Sequence, residues 1–413
     1  MSDGSQPGIL FLLPTVLRGQ RGPVAGWLNT AGWTAAASRL AFGVTVITPI
    51  GVVDHDSLRD RASLPRPATN SNAATRPTLP LPMKVAIKDL REWIRARSFA
   101  RLVIETNLPD QRVVFVWQRH ELFQRVGKSL ADRLDCPLVI YVPAPKVWEA
   151  RLWGVRRPGW EAIVERWGDA APLHDADLVA CVSDEAAEAV VSLGIDPNRI
   201  IVTPSTVDTE LFRPDVDSSD ERRRFLLEDR FVVGWAGSFR SFHGLDVLLD
   251  AIEEARSQVP NLVGLLVGDG PDRTRLEIEV ERRGLQDSVR FTGLIPQSEL
   301  PKILSLFDVA IVSGRADQSF HYSPLKMWEY LAMARAVVAP SVRSLAKQLQ
   351  NGVHAVLVKP GDAHSLAQAV TNLAQDSSLR LRLGRAGREL AETAAWVHQL
   401  ERVIGRLEIG GRK

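Results

Sequence analysis

Short β-branched apolar runs alternate with longer helical patterns along most of this chain, and no other feature restricts its fold as much. ILFLLP, VTVITPIG, VVFVW, PLVIYVP, LVACVS and RIIVTPS follow one another from Gly8 to Ser205. FVVGWAG, LVGLLVGDG, VRFTG, DVAIVSG, AVVAP and AVLVKPGD repeat the grammar from Phe231 to Asp362. Near-continuous apolar runs separated by helical segments describe parallel strands buried on both faces with crossover helices. Between the two series DVDSSDERRR is polar and marks a boundary. The pattern predicts an α/β protein with a Rossmann-like domain over 1–215, a second over 216–390, and a C-terminal helical segment, 391–413, that returns to the first domain. Residues 54–82, rich in Pro, Asn, Ser and Thr, are expected to form a loop or disordered insertion.

Doubly wound sheets bind ligands beyond the carboxyl ends of their strands, so the cleft between the halves is the expected site. With 413 residues and a net charge of +2, the chain has no global field to select nucleic acid. Cys136 and Cys181 lie in apolar runs with neither zinc nor disulfide spacing, which fits buried thiols in a reducing cytosol. GILFLLPTVL is too short to span a bilayer and reads as a first strand. The expected location is therefore cytoplasmic, with peripheral contact at the inner membrane face left open.

Several stretches place polar residues where strands should end. In FVVGWAGSFRSFHGLDVLLDAI a strand runs into Gly237 and Ser238, a loop carries Arg240 and His243, and a helix begins after Gly244. That geometry offers backbone N–H groups to a phosphate, although an ordinary βα turn has the same pattern. Gly268 follows the next strand without a full dinucleotide fingerprint, and no P-loop sequence occurs. In FTGLIP, Gly293, Leu294 and Ile295 either form a plain turn or present backbone groups to a base.

SPLKMWEYLAMARAVVAP is more informative. Ser323 is expected as N-cap and Pro324 at the first helical position, with Leu325, Trp328, Leu331 and Ala332 facing the sheet. Lys326 and Glu329 then share a flank, either as a surface ion pair or as a lysine for a diphosphate and a carboxylate for ribose hydroxyls. In the first half, Gly19 and Gly22 follow the first strand, while Arg119, His120 and Glu121 sit at the end of VVFVW, and Lys146 and Glu149 follow PLVIYVP. KVWEARLWGVRRPGWEAIVERWGD interleaves four tryptophans with basic residues, which suits either internal packing or an anionic membrane surface.

These pieces in this order resemble the retaining glycosyltransferases of family 4, with the GT-B fold of two facing Rossmann-like domains. The resemblance rests on GSF with HGLDVLLDA, VGDGP, FTG, SPLKMWEYLAMARAVVAP, NGVHAVLVKPGD and Trp396 in the second half. QRHELFQRVGKSLADRLDCPL, HDADLVACVSDEA and RIIVTPSTVDTELFRP echo the family in the first. It implies a nucleotide-sugar donor held by the second domain and a hydroxyl acceptor, such as a glycan, a natural product or a lipid-linked molecule, held by the first. Gly237, Ser238, Arg240 and His243 would stand at the diphosphate, with Gly22 and Gly268 also on the donor side. Gly293 to Ile295 would meet the base, Ser323, Pro324, Leu325 and Lys326 would bind diphosphate, and Glu329 would bind ribose. Arg119, His120 and Glu121 would form the acceptor side. Arg240, Lys326 and Glu329 are the residues expected to carry catalysis, with no obligatory cofactor or metal.

The sequence also departs from the family. His321 stands where the first glutamate of a paired motif is expected, His243 stands for a lysine, Ser205-Thr206 for Asn-Gly, and Ala334 for a glycine. An epimerase or phosphorylase of the same fold, or a catalytically weakened nucleotide-binding protein, are the alternative expectations.

Overall fold

The computed structural model describes residues 6–15, 25–63, 79–108, 110–316 and 324–410. Two sheets form. The first contains β1 (Gly8–Leu12), β2 (Gly43–Thr48), β3 (Gly51–Val53), β4 (Val113–Arg119), β5 (Leu138–Val142), β6 (Leu178–Cys181) and β7 (Ile200–Val202) in the order β3-β2-β1-β4-β5-β6-β7. The second contains β8 (Phe231–Ala236), β9 (Leu262–Val267), β10 (Val289–Gly293), β11 (Val309–Ile311), β12 (Ala336–Pro340) and β13 (Val356–Val358) in the order β10-β9-β8-β11-β12-β13. Every pairing is parallel except β2 with β3. In each sheet the order reverses beside the first strand, between β1 and β4 and between β8 and β11, which opens a crevice at the strand ends.

Strands such as GILFL and FVVGWA are buried along their whole length because helices cover both faces. The first core is aromatic: the Trp33 ring lies 4.4 Å from Trp117 and 4.8 Å from Trp396, and Trp117 stacks on Tyr141 at 5.7 Å. Trp33 belongs to helix α1 (Ala25–Arg39), whereas Trp396 opens the Trp396–Gly410 helix, which packs on α1 although it follows the second sheet in sequence.

The segment expected as a loop from 54 to 82 contains helix α2 (Leu58–Ser63), and α3 (Leu81–Glu105) starts inside it; residues 64–78 lie outside the described residues. Asp60 on α2 accepts from the Ser298 hydroxyl at 2.9 Å, so this short helix reaches the second sheet's domain. Helices α4 (Val126–Leu134) and α5 (Lys146–Leu152) follow β4 and β5.

Candidate active site in the cleft

A cavity of about 690 Å³ opens between the two domains at the strand ends. From the second domain it is lined by Gly237, Ser238, Arg240, His243, Gly268, Leu294, Ile295, Pro324, Leu325, Lys326 and Glu329, all anticipated from sequence. Arg119 lines the opposite wall.

Close backbone approach builds the second domain's wall. Gly237 continues from β8 with φ at +152°, and a Cβ there would come within 2.7 Å of the Lys326 ammonium. Gly268 has φ at +121°, and a Cβ would lie 2.0 Å from the Gly237 carbonyl oxygen. Only glycine allows these turns to touch. Behind them the Ala236 N–H donates to the Tyr330 hydroxyl at 2.7 Å, pinning the end of β8 to the helix that carries Lys326 and Glu329.

That helix runs Leu325–Ala332, one residue later than expected. Pro324 occupies the N-cap position with ψ at 114°, so the chain turns into the helix only at Leu325, and no side chain caps it. Pro324 keeps a φ of −75°, which suits either position, and ψ decides between them. Ser323 and His321 lie outside the described residues, as does Gly22. The helix is buried from Met327 to Ala332 rather than along one stripe, and Leu325 packs against the first domain's core.

Lys326 and Glu329 do not make the surface ion pair that their spacing allows. The Lys326 ammonium sits 3.8 Å from the centre of the Trp235 ring, a cation–π contact, while the Glu329 carboxylate accepts from Gln297 Nε2 at 2.7 Å. Burial lowers the Lys326 pKa to about 7, with Glu329 opposing part of the shift. Burial likewise raises Glu329 to about 7, with Gln297, Lys326 and Arg59 opposing it. Two strongly perturbed groups that share one cleft meet the physical description of a functional site.

His243 does not add the charge considered for it. Its ring lies 4.2 Å from Phe242 and 5.4 Å from Trp235, and burial, then Lys326 and Arg240, lower its pKa to about 2. It is a neutral donor or acceptor. Arg240 is exposed at the mouth and supplies the cation of that loop. Gly293 does not line the cavity; its carbonyl accepts from the Gly268 N–H at 2.9 Å and fixes that turn.

On the first domain's wall, Arg119 is 8% exposed and two of its nitrogens, Nε and Nη1, have no hydrogen-bond partner, although Nε lies 3.5 Å from Glu121. Burial pushes the Glu121 carboxyl up, but Lys146 at 3.6 Å and Arg119 outweigh it, and its pKa falls below the usual value. Glu121 thus acts behind the wall rather than in it. His120 does not line the cavity either. It is fully buried, and its Nε2 meets Asp169 at 2.8 Å. Asp169 also accepts from the backbone N–H groups of Lys146 and Val147, at 2.8 and 2.6 Å, so His120 and Asp169 together fix the start of α5, which carries the cavity-lining Lys146 and Glu149. Asp169 is delivered by a π-helical turn, Glu165–Ala170.

Sequence reasoning missed Gln297, Trp235 and Asn29. Gln297 follows the FTGLIP turn directly, and that adjacency was the available signal. Trp235 and Asn29 sit in runs that read as core.

Residues 34–211 match the family described as "Glycosyltransferase Family 4", and residues 230–376 match "Glycosyl transferases group 1". The chain belongs to the family 4, group 1 glycosyltransferases of GT-B fold. It is similar to an alpha-D-kanosaminyltransferase of Streptomyces kanamyceticus, 25% identical over 224 residues that cover 53% of this chain and 57% of that protein. A D-inositol 3-phosphate glycosyltransferase of Acidothermus cellulolyticus is 31% identical over 295 residues, covering 68% of this chain and 63% of that one. The match thus spans little more than half of the kanosaminyltransferase. Among solved structures, sucrose-phosphate synthase from Thermosynechococcus elongatus superposes with a TM-score of 0.68 at 19% identity, covering 98% of this chain and 100% of that one. Anabaena Alr3699/HepE, crystallised with UDP, gives 0.64 at 18%, covering 97% and 99%.

Proposed function

We propose that this family 4 protein transfers a sugar from a nucleotide-sugar donor to a hydroxyl acceptor, with retention of anomeric configuration. The observation that carries the reading is the convergence of Gly237, Lys326 and Glu329 on one wall of the interdomain cavity, facing Arg119 across it. In this reading the ammonium of Lys326 takes the donor's diphosphate in place of the Trp235 ring, and Arg240 at the mouth adds a second cation. The backbone at Gly237 and Ser238 approaches without a side chain between. Glu329 accepts from the two ribose hydroxyls. The base lies against Leu294 and Ile295. Relatives add support: Anabaena Alr3699/HepE, of the same fold, is solved with UDP and with UDP-glucose.

Catalysis then consists of stabilising the diphosphate as it departs and of holding the acceptor hydroxyl near the anomeric carbon. The C1–O bond to the diphosphate breaks as the acceptor oxygen forms its bond on the same face. The acceptor proton passes to the departing phosphate oxygen, so no side-chain nucleophile is required. Binding a diphosphate beside Lys326 restores the lysine's charge, because an adjacent anion opposes the burial that lowers its pKa. No metal is obligatory in this scheme, since Lys326 and Arg240 supply positive charge where the leaving group charge grows.

The test offers UDP-glucose, UDP-N-acetylglucosamine and GDP-mannose as donors with D-inositol 3-phosphate or 2-deoxystreptamine as acceptors, two molecules for which similar glycosyltransferases are named. The product's anomeric coupling is read by nuclear magnetic resonance. An axial donor linkage retained in the product is the expected result. An inverted linkage overturns the stereochemical assignment, and nucleotide binding without turnover of any pair favours a binding protein over an enzyme.

A further inference from the structure

Helix α3 is 25 residues long and buries one narrow face, which includes Val85, Asp89, Ala96, Phe99 and Val103. A second apolar stripe faces outward. Met83, Leu90 and Ile94 recur at seven- and four-residue spacing, which places them on one side of a helix, and they are 50%, 56% and 49% exposed. Trp93, 39% exposed, borders the stripe with the Arg97 guanidinium 4.0 Å from its ring centre. Lys84, Lys88 and Arg91, all exposed, recur at four- and three-residue spacing along its other edge. Isolated apolar residues are ordinary at a protein surface, but a contiguous stripe edged by cations along one helix is not.

A second exposed apolar cluster lies on a segment that is clasped to the buried face of α3. Asp89, on the buried face of α3, receives both Arg157, at 2.9 and 3.0 Å, and the Trp160 indole, at 3.0 Å. This clasp joins α3 to a segment in which Trp153, Ile163 and Trp167 are 46%, 60% and 55% exposed. Trp153 also lines the cleft. The segment clasped to α3 thus carries exposed tryptophans up to the cleft mouth, where Trp153 packs 5.5 Å from Phe242.

We propose that α3 and the 153–167 segment dock on an anionic lipid bilayer, with the stripe of Met83, Leu90 and Ile94 entering the headgroup–acyl boundary and Lys84, Lys88 and Arg91 meeting lipid phosphates. Charge decides the occupant. Lipid phosphates complement the cationic edge, whereas an isologous contact with a second copy of this chain would set that same edge against itself. The helix lies in the interface rather than across it: α3 carries six lysines and arginines, and no described helix is long and apolar enough to cross a membrane. Docked in this way, the cleft mouth at Trp153 faces the bilayer, which is where a lipid-linked hydroxyl acceptor would be presented.

Vesicle co-sedimentation tests this with the full chain and no sugar nucleotide, so the outcome is independent of the transfer reaction. The vesicles are phosphatidylcholine alone or phosphatidylcholine with about 30% phosphatidylglycerol, a composition that sets the anionic surface potential. The protein is expected to sediment with the anionic vesicles and to remain in solution with the neutral ones. Leu90→Glu with Ile94→Glu is expected to reduce partitioning by about tenfold or more, and Lys84→Ala with Lys88→Ala and Arg91→Ala by a similar factor. All these positions are exposed, so circular dichroism is expected to show every variant folded. Absence of binding to anionic vesicles, or equal binding by wild type and the Leu90/Ile94 variant, overturns the proposal. So does a wild-type dimer in light scattering that this variant converts to a monomer, because the stripe would then belong to a second copy.

Discussion

Glu329 is where sequence, burial and chemistry meet in one residue. Its place in SPLKMWEYL suggested a carboxylate at the cleft, but its hydrogen bond to Gln297 and its raised pKa follow from three-dimensional packing. The sign of the resulting pH effect is fixed. A carboxyl whose folded pKa is raised from 4.5 to about 7 loses stability as pH climbs through that window, since the unfolded chain ionises first. Glu329→Gln is therefore expected to stabilise the free protein by up to about 3 kcal/mol at pH 8 and to make little difference below about pH 4, read by denaturant unfolding. Ala334 is a second case. The comparison with family 4 marked it as an alanine in place of glycine, and its φ of +53° gives the reason for glycine there. Ala334→Gly should gain up to about 1 kcal/mol, the left-handed strain of roughly 1–2 kcal/mol less the extra chain entropy of glycine. A lower melting temperature in this variant would contradict that account. His120 was legible as a polar residue at a strand end but not as a buried one, because the partner that turns it inward, Asp169, is 49 residues away.

At the scale of elements, the strands could be read directly and their short neighbours could not. The parallel strands are nearly continuous apolar runs whose burial on both faces leaves a strong pattern. β3 has only three residues and pairs antiparallel at the sheet edge, and α2 has six residues in a stretch rich in polar and loop-forming types. Neither is long enough to show a period. The start of α5 depended on Asp169, which a π-helical turn brings to two backbone N–H groups. Asp169→Ala leaves those donors and the His120 ring without their acceptor, and is expected to cost about 2–4 kcal/mol. Because α5 carries Lys146 and Glu149 to the first domain's wall, the proposed acceptor side, the same change should raise the acceptor's KM more than it alters the nucleotide's Kd. Equal effects on both would show that α5 does not act on the acceptor side alone.

For the whole molecule, the two-domain organisation was written in the repeated strand grammar, and the polar stretch between the repeats separates the two sheets. The return of the C-terminal segment, 391–413, to the first domain was expected as well, but the contacts that tie the halves follow only from packing. Trp396 follows the second sheet in sequence yet sits in the first core beside Trp33, and a Cβ on Gly32 would fall 2.3 Å from its indole nitrogen. Trp396→Ala is expected to cost about 3–5 kcal/mol and to split thermal unfolding into two steps, the first domain melting first. A single unshifted transition in calorimetry would refute the tie. In the cleft that these ties hold together, the proposed function has Lys326 and Glu329 bind a nucleoside diphosphate. Isothermal titration of UDP, GDP, ADP, CDP and dTDP into wild type and Glu329→Ala tests it most directly. At least one nucleotide is predicted to bind wild type, with affinity reduced by about 1.5 kcal/mol or more, over tenfold, in the variant. Failure of all five to bind, or equal affinity in both proteins, would contradict it.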